Sequence, residues 1–308
     1  MKGKLFNPSL PLACADGLGV NSTAALIGLE RAGIRPDLII FSDTGGEKDE
    51  TYQYIEVRRA WLKRVGFPDL EIVRYVPKNF KNWPPYYTLE DNCLTNATLP
   101  SLAFGFKSCS LKWKVSPQNK FVAQWKSAQD AWAAGFKVQK VVGYDAGPAD
   151  LRRRNHAGNL NDPQYDYFYP LIEWGLDRQG CIDLIRDEGE PVPPKSSCFF
   201  CPAMKPHEVD ELPEDKLMRI VKMELRAAPR LTTVQGLWRT ATKKKPGSIT
   251  EYIRERGLLS PSQIDEIKAN ICTDIVSFQE GYADAKARGA VEDYLAKARN
   301  DYRNKVAA

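Results

Sequence analysis

The sequence predicts an α/β fold, a parallel sheet with crossover helices followed by a helical C-terminal part. Three observations predict it. Short apolar runs alternate with amphipathic segments through the first half of the chain, a glycine loop at Gly17-Leu18-Gly19 joins the first run to the first helical segment, and strand signals fade after about Pro206. At 308 residues, 43% hydrophobic and 27% charged, the chain suits one large domain or two modest ones. We divide it into an α/β part over 1–205, with an insertion near 77–115, and a helical region over 206–308. The composition excludes disorder and collagen. No run approaches the roughly 18 apolar residues of a membrane span. The start, MKGKLFNPSLPLACADG, has an apolar part too short and too proline-broken for a signal peptide, so a cytoplasmic protein without membrane contact is expected.

Each element follows from a local pattern. Leu10 to Ala15 is an apolar run ending in Asp16-Gly17-Leu18-Gly19, and Ser22 to Ala32 reads as a helix stopped by Gly33. Asp37 to Ser42 is a second strand; Tyr52, Ile55, Leu62 and Val65 then share a helical face before Gly66. Glu71 to Tyr75 is a third strand. Residues 77–115 lack a period and are too long for a plain connection, which marks a functional insertion. Ser116-Pro117 reads as an N-cap with proline at the first helical position, and Phe121, Trp125, Ala128 and Trp132 form a stripe ending at Gly135. Val138 to Gly143 is the next strand, Asp150 to Asn161 a polar, arginine-rich loop, Phe168 to Ile172 an extended segment, and Asp177 to Gly189 an amphipathic helix. Helical periods return around Leu217–Leu225, Ile264–Ile271 and Val291–Ala298.

The chemistry concentrates in Gly17-Leu18-Gly19-Val20-Asn21-Ser22-Thr23, between strand and helix. Glycines let backbone N–H groups approach an anion, and a helix N-terminus adds partial positive charge and hydroxyl donors. The loop therefore suits phosphate or pyrophosphate; the alternative is a tight turn with a serine cap. It lacks the Walker lysine and the dinucleotide spacing, which disfavours a P-loop NTPase and a dehydrogenase.

The loop resembles the pyrophosphate-binding Ser-Gly-Gly-x-Asp-Ser-Thr of the N-type ATP pyrophosphatases and phosphoadenosine phosphosulfate (PAPS) reductases. Gly19, Val20, Ser22 and Thr23 fall on the pattern, while Gly17, Leu18 and Asn21 replace its serine, glycine and aspartate. Phe41-Ser42-Asp43-Thr44-Gly45-Gly46-Glu47, Gly105 to Lys114, and Tyr169 to Trp174 leading to Ser197-Cys198-Phe199-Phe200-Cys201-Pro202 extend the likeness over roughly residues 10 to 235. Together they resemble the PAPS-reductase-like proteins of bacteriophages and mobile elements. The resemblance implies a doubly wound parallel sheet of the adenine nucleotide α-hydrolase type, with ATP or a related adenine nucleotide at the carboxyl ends of the strands. The site residues it implies are Gly17 to Thr23, Asp43 and Thr44, and Gly143, Tyr144 and Asp145. Asp43 would hold a ribose hydroxyl or a nucleotide-bound Mg²⁺; the alternative is a cap on the helix near Glu47. Arg152, Arg153 and Arg154, with His156 nearby, would stabilise charge on a leaving group, or form a solvated charge run.

The chain has seven cysteines, an odd number that does not describe a disulfide framework, and only two histidines, which disfavours a histidine-rich zinc enzyme. Cys198 and Cys201 form a CxxC; Cys109 and Cys93 would complete a four-thiolate site for a [4Fe–4S] cluster or Zn²⁺. If Cys93 is merely buried, a three-cysteine site with His207 or an outside ligand remains. Cluster-bearing relatives put the iron–sulfur cluster first. Cys14, Cys181 and Cys272 read as core thiols. Lys107, Lys112 and Lys114 offer positive charge around Cys109 with Trp113 able to stack, and Lys243-Lys244-Lys245 reads as a solubilising basic turn, the alternative being contact with nucleic acid.

The resemblance thus implies a sulfurtransferase-like enzyme of the ATP pyrophosphatase kind. It would adenylate an acceptor, a nucleic acid in sulfur-modifying relatives, release pyrophosphate, and take sulfur from a donor protein. PAPS or adenylyl-sulfate reduction ranks lower, because Cys272 lacks the Glu-Cys-Gly setting of the reductases' nucleophile. A non-catalytic nucleotide- or nucleic-acid-binding module with a structural metal is the third reading.

Overall fold

The computed structural model describes residues 6–77, 84–100, 102–103, 106–157 and 162–307. Parts of the expected insertion, Gly105 and the end of the arginine-rich segment lie outside them. The chain forms two compact units. The first comprises Met1–Asp43, Glu47–Arg74 and Lys112–Ser197; the second comprises Thr44–Gly46, Tyr75–Leu111 and Cys198–Ala308. The unit boundary thus falls at Ser197 and Cys198, and much of the insertion groups with the C-terminal helices.

In the first unit five strands, β1 (Leu12–Ala15), β2 (Leu38–Asp43), β3 (Leu70–Arg74), β4 (Val138–Val141) and β5 (Tyr165–Phe168), pair in the order β3-β2-β1-β4-β5. Every pairing is parallel. The α/β class expected from the alternating pattern is observed. Parallel strands need crossovers, and their helices bury both faces of the sheet. The side chains alternate accordingly. Leu12, Cys14, Ile39, Phe41 and Val141 pack into one core with Leu26, Ile27, Trp61, Leu62 and Ile185. Ala13, Leu38, Ile40 and Val138 face the opposite core with Val122, Ala128 and Tyr165. Helices α1 (Val20–Arg31) and α2 (Asp49–Val65) supply the first layer, the latter closed by Gly66 at φ 70°.

Several local readings are corrected. The expected single helix after Ser116 is two, α3 (Ser116–Val122) and α4 (Lys126–Ala133), although Phe121, Trp125, Ala128 and Trp132 do share one core. Ser116 is no N-cap, because the π-helical turn Leu111–Val115 runs directly into α3. The arginine-rich segment is not a loop over its described part but helix α5 (Pro148–Ala157). Phe168 ends β5, and Pro170–Glu173 is a helical turn, proline occupying a first-turn position where its missing N–H costs nothing. Asp177 caps α6 (Arg178–Asp187), accepting from the Gly180 N–H at 2.9 Å.

The second unit contains the helix Leu89–Asn96, the two-residue antiparallel ribbon Leu102–Ala103 and Phe106–Lys107, and helices Glu214–Ala227, Ile249–Arg256, Pro261–Asn270, Thr273–Ala287 and Val291–Ala307. The C-terminal helical expectation is met. Glu224, buried on Glu214–Ala227, accepts from the backbone N–H groups of Leu237 (2.7 Å), Ile249 (2.9 Å) and Thr250 (2.6 Å) and from Ser248 Oγ (2.6 Å). One carboxylate thereby satisfies the first turn of the next helix. Among the described residues, no helix is long and apolar enough to cross a membrane.

Candidate functional site

In the order β3-β2-β1-β4-β5 the chain leaves β1 in opposite directions on its two sides, so a crevice opens at the carboxyl ends of β1 and β4. Open parallel sheets place ligands there. A cleft of about 440 Å³ lies at this point. It is lined by Gly17, Gly19, Val20, Asn21 and Ser22 from the loop and α1, Gly143 and Tyr144 after β4, and Asp150, Arg153, Arg178, Lys195 and Ser196.

The loop is shaped by a buried carboxylate that sequence reasoning missed. Asp16 accepts from the Leu18 N–H and from Ser22 Oγ, each at 2.7 Å, and pairs with Arg58 Nε at 2.9 Å. Both partners of that pair are essentially inaccessible. Arg58 also donates to Thr23 Oγ1 at 2.5 Å. Gly17 N and Gly19 N donate to Ser22 Oγ at 3.2 and 3.3 Å. The expected phosphate hydroxyls of Ser22 and Thr23 therefore serve first to fold the loop. Leu18 stands where the resembled pattern has glycine and adopts φ 54° with a fully buried side chain. The left-handed backbone costs about 1–2 kcal/mol, which burial of a leucine, about 1.5–3 kcal/mol, offsets. Arg58 interrupts the apolar face of Tyr54, Trp61 and Leu62, and that interruption was the available signal.

Asn21, the departure from aspartate, is explained by its neighbours. Its amide donates to Asp145 Oδ2 (3.0 Å) and Asp150 Oδ2 (3.3 Å) and accepts from Arg178 at 3.0 Å. A third carboxylate there would repel two others; the amide supplies donors instead. Arg153 pairs with Asp150 at 2.6 Å. At Gly143 a Cβ would lie 3.1 Å from the Ser22 backbone N, so a larger residue where the chain leaves β4 would press on the first turn of α1. Tyr144 stacks on Tyr169 with ring centroids 5.5 Å apart, and burial pushes its hydroxyl up from the ordinary value.

Of the predicted residues, Gly17, Gly19, Val20, Asn21, Ser22, Gly143, Tyr144 and Arg153 line the cleft. Leu18, Thr23 and Asp145 are not among the lining residues: Leu18 is buried, Thr23 accepts from Arg58 and Asp145 from Asn21. Arg152 and Arg154 do not line it, because successive helical residues are about 100° apart around the axis and only Arg153 faces the cleft. Arg178 and Lys195 were missed because they come from α6 and the segment after Pro194, far away in sequence. Asp43 lies at the end of β2, accepting from Tyr52 at 2.8 Å and from the Arg74 fork at 2.8 Å, and it does not line the cleft. Thr44 belongs to the second unit, where its hydroxyl lies 3.2 Å from Cys198 Sγ.

The four expected metal-ligating cysteines are all in the second unit. Cys93 is buried on Leu89–Asn96, Cys109 follows the ribbon, and the Cys201 N–H donates to the Cys198 carbonyl at 3.0 Å. Among the described residues, no group of three or more His, Cys, Asp or Glu side chains is gathered as a metal-binding set. His207 lies exposed on the short helix Pro206–Asp210. Cys14 and Cys181 are buried core thiols as expected, and burial pushes Cys181 up to about 12. Cys272 is half-buried at a helix start and accepts from Arg226 at 3.2 Å. Trp113, expected to offer a stacking surface, is buried, and Lys114 pairs with the buried Glu47 at 2.8 Å.

No protein-family model matches the chain, and no curated protein matches it.

Proposed function

We propose that the first unit binds ATP or a related adenine nucleotide in the cleft between Gly17–Ser22 and Gly143–Tyr144, in a fold of the adenine nucleotide α-hydrolase type. The observation that carries this reading is the convergence of Arg153, Arg178 and Lys195 on the N-terminus of α1 at the carboxyl ends of β1 and β4. Helix amides and guanidinium forks favour phosphate oxygens, and Tyr144 offers a ring face to the base. Mg²⁺ enters with the nucleotide's phosphates.

In this reading the protein is a sulfurtransferase-like ATP pyrophosphatase. A nucleophilic oxygen of the acceptor, a nucleic acid, forms a bond to the α-phosphorus while the bond from that phosphorus to the bridging oxygen breaks. Pyrophosphate leaves with the electron pair. Arg153, Arg178 and Lys195 hold that charge, and a sulfur donor then displaces AMP from the acceptor. Pyrophosphate release from ATP with acceptor nucleic acid and a sulfur donor is the test. Release abolished by Lys195→Ala supports the reading; nucleotide binding without release under any of these conditions overturns it. That second outcome is a binding module, which the inward-turned Ser22 and Thr23 hydroxyls favour. Sulfite formed from PAPS would instead identify a reductase. For the cysteines, the reading is a [4Fe–4S] cluster, or Zn²⁺, that forms as Cys93, Cys109, Cys198 and Cys201 are drawn together. Metal found after anaerobic purification and lost in Cys198→Ser/Cys201→Ser supports it; absence from the wild type, or retention in the variant, overturns it.

A further inference from the structure

The chain's modest charge of +5 conceals a concentrated one. From Leu225 to Thr250 there are six Lys or Arg residues and no Asp or Glu, so this segment alone exceeds the net charge of the whole protein. Four of the six, Arg239, Lys243, Lys244 and Lys245, fall in the loop Gly236–Gly247.

That loop is built rather than loose. Glu224 clamps its base, accepting from the Leu237 N–H on one side and from Ser248, Ile249 and Thr250 on the other. Trp238 is buried beneath it and donates from its indole to the Met204 carbonyl at 2.8 Å. Lys245 lies over the Trp238 ring at 4.2 Å. The tip is a tight turn: the Thr242 N–H donates to the Lys245 carbonyl at 2.8 Å, and Thr242 Oγ1 accepts from the N–H groups of Lys244 and Lys245 at 3.3 Å. At Gly247 a Cβ would lie 2.7 Å from the Arg239 carbonyl, so the two arms approach backbone to backbone. Arg239 itself is held at φ 76°, in the left-handed region that disfavours a side chain. Arg239, Lys243 and Lys244 are exposed.

A turn that only needed to be soluble would not hold an arginine in a strained backbone or fix three successive like charges on one frame. Strained residues cluster where a function selects them. We infer that the Gly236–Gly247 loop is a docking surface for the phosphodiester backbone of a nucleic acid, read through charge and without base recognition. Lysine and arginine side chains neutralise backbone phosphates and release their counterions. The surface lies wholly in the second unit, and its test contains no nucleotide, so its outcome is separate from that of the pyrophosphate assay.

The test is fluorescence anisotropy with labelled duplex DNA, single-stranded DNA and RNA of one sequence over a salt series, on the full chain. Wild type should bind at least one of the three with log affinity falling linearly against log salt. Lys243→Ala/Lys244→Ala should weaken binding and make the slope shallower by about 0.9 per lysine on duplex and about 0.7 on single strands. Lys243→Arg/Lys244→Arg should restore both, and the exposed positions should leave thermal unfolding unchanged. The arm that binds identifies the source of the backbone. Equal slope and affinity in the alanine variant, no binding in any arm, or equal displacement per charge by polyglutamate would overturn the inference; the last would indicate an acidic protein partner.

Discussion

The two faces of the parallel sheet each bury a basic residue, and they treat it differently. On the face covered by α1 and α2, Arg58 is completed by Asp16 at 2.9 Å and by Thr23. On the face covered by α3 and α4, Lys140 of β4 reaches Asn119 Oδ1 at 3.2 Å and the Tyr165 ring at 5.0 Å. Burial lowers Lys140 to about 8, outweighing the favourable field of Asp162. A buried ion pair roughly breaks even against apolar residues in stability. What the Asp16–Arg58 pair supplies is position: Asp16 also holds the Leu18 N–H and Ser22, and with them the loop at the cleft. The paired cation is on the side that builds the site; the other is tolerated at a cost.

The largest effect should come from breaking the pair. Asp16→Asn keeps the hydrogen-bonding shape, strands Arg58, and should cost about 3–5 kcal/mol in urea unfolding, with most of it recovered by adding Arg58→Met. A loss under about 1 kcal/mol would show that Arg58 reaches water. Lys140→Met should act oppositely, raising stability by about 1–3 kcal/mol at pH 7. Below pH 8 the folded protein carries the full penalty of a buried ammonium. Between about 8 and the unfolded value of 10.5 the unfolded chain binds more protons, so wild-type stability rises with pH and the variant's advantage fades. An advantage independent of pH would mean that packing alone separates the two proteins. Smallest should be Asp43→Asn, at about 1–2 kcal/mol, because Arg74, with 52% of its side chain exposed, returns to water. An effect as large as that of Asp16→Asn would erase the contrast between buried and exposed partners.

Much of the sheet was legible because its signals are local. The β1 to β3 runs, the stop at Gly66 and the glycine loop each lie within a few residues of their cause. The site was only half legible. Asn21 is 124 residues from Asp145 and 157 from Arg178, and no local pattern joins them. Arg152 to Arg154 looked equivalent as a loop and became three directions as a helix. Asp43 ends β2 and Asp16 follows β1, yet the cleft lies beside β1, at the sheet's switch point, and Asp43 does not line it.

That distinction gives the most direct measurement: titration calorimetry of ATP with Mg²⁺ into wild type and four single alanine variants. Arg153→Ala, Arg178→Ala and Lys195→Ala should each weaken binding by about tenfold or more, the loss of a charge-assisted hydrogen bond, while Arg152→Ala, of equal charge and one residue away, should bind like wild type. Wild type that takes up no nucleotide, or an Arg152→Ala loss equal to that of Arg153→Ala, would contradict the cleft as the nucleotide site.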